Sequence, residues 1–68
     1  MSMPDVTNKV LAMRSERKMT QEDLAEKAGV TRQTIIALEK GNYTPSVALA
    51  IRLARIFKCA VEDLFTIT

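Results

Sequence analysis

The sequence predicts an all-α protein, a compact bundle of five helices. Three observations carry that reading. Apolar residues recur at three- and four-residue intervals along most of the chain. Thr20, Thr31 and Ser46 each stand directly before such a stretch, where a side-chain oxygen can cap the first turn of a helix. Gly29 and Gly41 stand at the far ends of two of these stretches, and glycine tolerates the positive φ that commonly closes a helix.

The elements follow in order. Residues 1–5 are expected to form a flexible tail, followed by a single domain over 6–68. The first helix is expected from Val6 to about Arg17, because Val6, Val10 and Met13, with Leu11, keep helical spacing. Lys18 and Met19 end it. Thr20 caps the second helix, and Asp23, three residues on, makes an imperfect capping box, since Glu or Gln is the usual partner. Met19 and Leu24 have the spacing of a hydrophobic staple, and Leu24, Ala25 and Ala28 form the inner face.

The same device then recurs. Gly29 ends the second helix, Thr31 caps a third, and Val30 with Ile35 makes a second staple pair. Ile35, Leu38 and Glu39 share one face of this helix, while Arg32, Gln33, Ile36, Ala37 and Lys40 lie on the other. Ser46 caps a fourth helix, Val47 to Phe57, after the loop Asn42 to Pro45. Val61 to Leu64 forms a last turn or short helix. In the closing LFTIT, Phe65 and Ile67 alternate with threonines in a strand-like pattern. Two short helices joined by about three residues including Gly, at about 20–40, make a helix-turn-helix, whose second helix can enter a DNA major groove.

Composition removes several classes of function. Apolar residues make up 47% of the chain, enough for a folded core, but 68 residues bury only a small one. With a single cysteine, Cys59, no disulfide can form within the chain, and with no histidine neither a Cys/His zinc site nor His-based acid–base catalysis is available. Cys59 is expected to be a small core residue rather than a redox sensor. No apolar run reaches the ~18 residues of a membrane span. MSMPDV lacks the basic start and apolar stretch of a signal peptide, so the expected compartment is the cytoplasm. No paired carboxylates share an inner face and there is no glycine-rich phosphate loop, so an enzyme is not expected, nor a cofactor or metal.

The net charge of +2 and pI of about 9.0 suit nucleic acid but equally suit an ordinary surface. Its distribution says slightly more. Lys9, Arg14, Arg17 and Lys18 fall early and Arg52, Arg55 and Lys58 late, while Glu22, Asp23 and Glu26 cluster between them.

MTQEDLAEKAGVTRQTIIALEKGNYTPS resembles the Cro/phage-repressor type of helix-turn-helix regulator, the Xre family. The likeness covers about Asn8 to Phe65, and its ordered set of pieces is specific where a lone TQxxLA is not. It implies a five-helix bundle that binds double-stranded operator DNA, as a dimer, to control transcription, here as a repressor. By position, it implies phosphate contact by Gln21 at the start of the second helix, where free N–H groups and the helix dipole favour an anion. It implies base and nearby phosphate contacts by Arg32, Gln33 and Thr34: Arg pairs with guanine O6 and N7 and Gln with adenine N6 and N7, and Gln33 is the preferred base reader because Arg32 can equally grip a phosphate. Ile36 and Ala37 follow on the same side and can touch a thymine methyl, although the family more often has a polar residue at Ile36. Lys40, Asn42, Tyr43 and Thr44 resemble its backbone-contact segment. Arg14 and Glu39 match a structural ion pair of related proteins, and Glu39, on the buried face, needs a cationic partner. Lys18 and Lys58 stand where relatives have helix-ending Gly, and Ala60 replaces a common Ser cap.

Val47, Ile51, Phe65 and Ile67 are more apolar than a solvated face requires and are the expected homodimer surface. The LFTIT tail is expected to pair with its copy edge to edge, or to pack under the first helix. No small-molecule effector domain and no membrane partner are expected. The alternative function is a helix-turn-helix used to bind a protein, as in an antitoxin or adaptor. Whether changes at Gln33 alter DNA binding or only partner binding separates the two.

Overall fold

Local capping chemistry sets most helix boundaries. The computed structural model describes residues 6–67. Its elements run β1 (Val6–Asn8), α1 (Val10–Glu16), α2 (Gln21–Ala28), α3 (Arg32–Glu39), α4 (Val47–Phe57), α5 (Val61–Leu64) and β2 (Phe65–Ile67). The expected tail at residues 1–5 lies outside the described residues. The architecture is the expected five-helix bundle, with a small two-stranded sheet added.

The Thr20 hydroxyl accepts from the Asp23 N–H at 2.9 Å, and the Asp23 carboxylate accepts from the Thr20 N–H at 3.0 Å, so the imperfect capping box closes in both directions. Thr31 accepts from the Thr34 N–H at 3.2 Å and Ser46 from the Leu49 N–H at 3.1 Å. Met19 and Val30, which precede two of these caps, pack partly buried against the core that holds Leu24 and Ile35. At α5 the box is half made. Asp63 accepts from the Ala60 N–H at 3.1 Å, but Ala60 has no side-chain oxygen to return the bond. Lys18 and Lys58 both adopt left-handed backbone, with φ of 53° and 56°, a conformation that strains a residue with a Cβ.

The first helix starts at Val10, not Val6, and this corrects the sequence expectation. Val6–Asn8 is a strand. It pairs antiparallel with Phe65–Ile67 in the register Val6 to Ile67, Thr7 to Thr66 and Asn8 to Phe65. The β-branched residues on both strands favour this extended pairing. Asn8 then blocks helix continuation backwards, because its Oδ1 accepts from the Val10 N–H at 3.1 Å and acts as a local cap. The same pairing gives the tail a partner not expected from the sequence: within the chain, Phe65–Ile67 lies against Val6–Asn8, the strand that precedes α1. The Lys9 N–H donates to the Leu64 carbonyl at 2.9 Å and extends the clasp between the two ends of the bundle.

The core is built from Phe57, Leu24, Ile35, Leu38, Leu53, Leu64 and Val10, all fully buried. Leu24, Ile35 and Leu38 come from expected inner faces, Val10, Leu53, Phe57 and Leu64 add α1, α4 and α5, and together they join every helix to one apolar cluster. Cys59 packs partly buried against that cluster. Arg17 closes one end. It donates to the Phe57 carbonyl at 3.0 Å and the Met13 carbonyl at 3.1 Å, and its guanidinium lies 5.2 Å from the centre of the Phe57 ring.

Candidate nucleic-acid interface

The connection between α2 and α3 is three residues long, Gly29 to Thr31, and glycine makes it possible. Gly29 has a φ of 72°, and the Val30 N–H returns to the Ala25 carbonyl at 3.0 Å. The turn throws α3 across α2, against which it packs. Each helix begins with a threonine cap that takes the N–H of its third residue. The first two N–H groups, those of Gln21 and Glu22 in α2 and of Arg32 and Gln33 in α3, have no partner within their helices. Such a helix start attracts an anion. The N–H that Thr20 donates to Asp23, then the hydroxyl of Thr20, hold the Asp23 carboxylate below its ordinary pKa.

Beneath this surface lies a polar network. Glu39, in the last turn of α3, has only 5% of its side chain exposed, and Arg14 of α1 has 14%. Arg14 donates from Nε to Glu39 Oε2 at 2.6 Å, from Nη2 to Oε1 at 3.2 Å, and from Nη1 to the Met19 carbonyl at 2.8 Å. These bonds to Glu39 raise the Arg14 pKa above its ordinary value against the opposing effect of burial. Glu39 Oε1 also accepts from Gln21 Nε2 at 2.9 Å. Asn8 adds a further tie, donating to the Leu38 carbonyl at 2.9 Å. Among the described residues, no buried side-chain nitrogen or oxygen lacks a partner. Three elements are thus locked together around the C-terminal end of α3.

The sequence-predicted residues fall into distinct environments. Arg32 and Gln33 are exposed at the tip of α3. Thr34 is half-buried, and its hydroxyl lies 3.1 Å from that of Thr31, so it takes part in the cap. Ile36 and Ala37, one turn on, are half-buried rather than fully exposed, which leaves part of each side chain for a ligand. Lys40, Asn42, Tyr43 and Thr44 are all exposed on the segment that leaves α3. Gln21 is half-buried, engaged with Glu39, and borders an open depression with Arg14, Thr20, Glu22 and Arg32. Val47, Ile51 and Ile67 are exposed at 77%, 40% and 70%, Phe65 is half-buried, and Thr44 lines the same apolar depression as Val47, Phe65 and Ile67. Sequence reasoning missed Asn8 and Arg17. Asn before an apolar run is a recognisable capping signal, but nothing local marks Arg17, whose contacts on Phe57 come from 40 residues away.

The helix-turn-helix family pattern matches residues 10–64. This chain belongs to the helix-turn-helix family. An uncharacterized HTH-type transcriptional regulator of Methanocaldococcus jannaschii is 53% identical over 58 residues, covering 85% of this chain and 88% of that one. The cryptic phage CTXphi transcriptional repressor RstR of Vibrio cholerae is 31% identical over 58 residues, covering 85% of this chain and 52% of the repressor. In fold, the restriction-modification controller protein C.AhdI of Aeromonas hydrophila is similar with a TM-score of 0.75 at 22% identity, over 81% of this chain and 83% of that one. The helix-turn-helix protein described here is therefore a member of a family of DNA-binding transcriptional regulators, not of enzymes. Among its described residues no helix is long and apolar enough to cross a membrane.

Proposed function

We propose that this helix-turn-helix regulator reads an inverted-repeat operator in double-stranded DNA as a homodimer and represses transcription there, with residues 6–68 acting as one DNA-binding domain. The observation that carries the reading is the exposed tip of α3. Arg32 and Gln33 project from a helix whose start is capped by Thr31 and whose end is anchored through Glu39 to α1 and α2. A rigid helix presenting long donors and acceptors at its first turn suits the major groove, where Arg pairs with guanine and Gln with adenine. Ile36 and Ala37 stand where a thymine methyl would meet them. Lys40, Asn42, Tyr43 and Thr44 then hold the backbone on one side and Gln21 on the other.

Dimerisation answers a shortage of contacts. One domain this small reaches few base edges, and a two-fold pair reads half-sites about 10 base pairs apart. The exposed apolar residues Val47, Ile51 and Ile67, beside Phe65, support a second copy meeting this face. The repressor named among the relatives supports repression rather than activation.

The test replaces Arg32, Gln33 and Thr34 together by alanine and compares binding to operator-type and random duplexes by fluorescence anisotropy. The expected result is an unchanged helical circular-dichroism signal with the preference for any sequence abolished. A folded variant that keeps its preference reads DNA with some other surface, and the proposal is then wrong.

A further inference from the structure

We infer that Glu39 is a positioning residue for DNA binding: with its charge cancelled by Arg14, it holds the Gln21 amide at the start of α2 in the pose that grips a backbone phosphate. The inference rests on the DNA-binding reading above and deepens it at one side chain.

The geometry leaves the amide little choice. Gln21 Nε2 lies 2.9 Å from Glu39 Oε1, so it is the N–H that faces the carboxylate. The opposite orientation of the amide would bring its own oxygen against that carboxylate and repel it. One N–H of Gln21 is therefore committed to the protein. The second N–H on the same nitrogen remains to donate outward, beside the α2 start whose first N–H groups favour an anion. Glu39 is fixed in turn, since its side chain is 95% buried by the 5% exposure it retains and both its oxygens accept from Arg14.

The ion pair also solves an electrostatic difficulty. A lone carboxylate behind a phosphate-binding amide would repel the phosphate, and in a partly dry setting that repulsion is screened little. Arg14 donates two hydrogen bonds to Glu39 and cancels its charge. What faces the DNA is a neutral amide already held in place. Ordering a free glutamine on binding carries an entropic penalty that a preset one avoids, and by that measure the arrangement improves affinity about two- to tenfold.

The replacement that tests this is the Arg14→Met, Glu39→Met double variant. It substitutes apolar side chains for both members of the pair and leaves Gln21 and the exposed tip of α3 in place. The probe is a duplex of about two helical turns carrying the inverted repeat recovered by selection from random DNA, with single backbone phosphates replaced in turn by neutral methylphosphonate. In the parent chain one or more substitutions weaken binding, and Gln21→Ala identifies the phosphate whose neutralisation no longer matters. The expected result is that the double variant loses most of its sensitivity at that same phosphate while keeping it at the others, with a two- to tenfold weaker Kd. Unchanged sensitivity there, or an equal loss at every phosphate, overturns the positioning role while leaving the DNA-binding reading intact. A parent chain that binds no duplex selectively overturns both. Because the double variant can fail to fold, nuclear relaxation of the Gln21 side-chain amide in the parent chain without DNA gives a second test. A rigid amide is expected, and a freely reorienting one contradicts the inference.

Discussion

Arg14 and Glu39, 25 residues apart, meet in a two-pronged contact, Nε to Oε2 at 2.6 Å and Nη2 to Oε1 at 3.2 Å. The pair joins α1 to the last turn of α3 with most of both side chains out of water. Removing one partner leaves the other charge buried and unpaired. Arg14→Met alone is therefore expected to destabilise the protein by about 3–5 kcal/mol. Removing both charges with Glu39→Met as well is expected to recover much of that loss, because the stranded carboxylate is gone. Urea unfolding of the single and double variants measures it, and a double variant less stable than Arg14→Met contradicts the account.

The left-handed Lys18 and Lys58 are a separate source of instability. Each carries a Cβ in a conformation that costs about 1–2 kcal/mol. Glycine removes that cost but adds unfolded-chain entropy of about 0.5–1 kcal/mol. Lys58→Gly is expected to raise stability by about 0.5–1 kcal/mol, read as a higher urea midpoint at unchanged slope. The same direction is expected for Lys18→Gly. A lower midpoint for both contradicts the strain argument.

These lysines were legible from sequence, as were the starts of α2, α3 and α4. Thr20, Thr31 and Ser46 cap through bonds to residues three positions away, so the information is local. Val6–Asn8 was not legible as a strand, because its partner is Phe65–Ile67 at the other end of the chain. Val6 also keeps helical spacing with Val10, which drew it into the wrong element. The site divides the same way. Arg32 and Gln33 declare themselves as polar residues at a helix tip. The bond from Gln21 to Glu39 exists only once α2 and α3 are packed, and Arg17 finds Phe57 only through the tertiary fold.

Acid should weaken the start of α2. Folding lowers the Asp23 pKa, chiefly through the Thr20 N–H and then its hydroxyl. A carboxylate with a folded pKa below its unfolded one contributes stability above the unfolded value, and loses that contribution as pH falls through the folded one. The thermal midpoint of the parent chain should therefore fall as pH drops from neutral through the carboxylate range. Asp23→Asn should flatten part of that fall and lower the midpoint at neutral pH. An identical pH profile in the variant removes Asp23 from the explanation.

Base reading and backbone gripping predict different signatures. Gln33→Ala is expected to relax preference at one base pair, at about 1–3 kcal/mol there, and to leave other positions unchanged. Lys40→Ala is expected to weaken all sequences alike and reduce the salt slope by about 1. Binding measured across single-base operator variants and several salt concentrations distinguishes them. If both substitutions act uniformly, Gln33 does not read a base.

The central claim is that the α2–turn–α3 unit of two copies reads an inverted repeat. Selection of binding sites from random duplex DNA, with purified protein at near-physiological salt, tests it most directly. The account predicts recovery of an inverted repeat with half-site centres about 10 base pairs apart. Recovery of no enriched sequence, with only weak binding that salt abolishes, would contradict it and turn attention to a protein bound by the same helices.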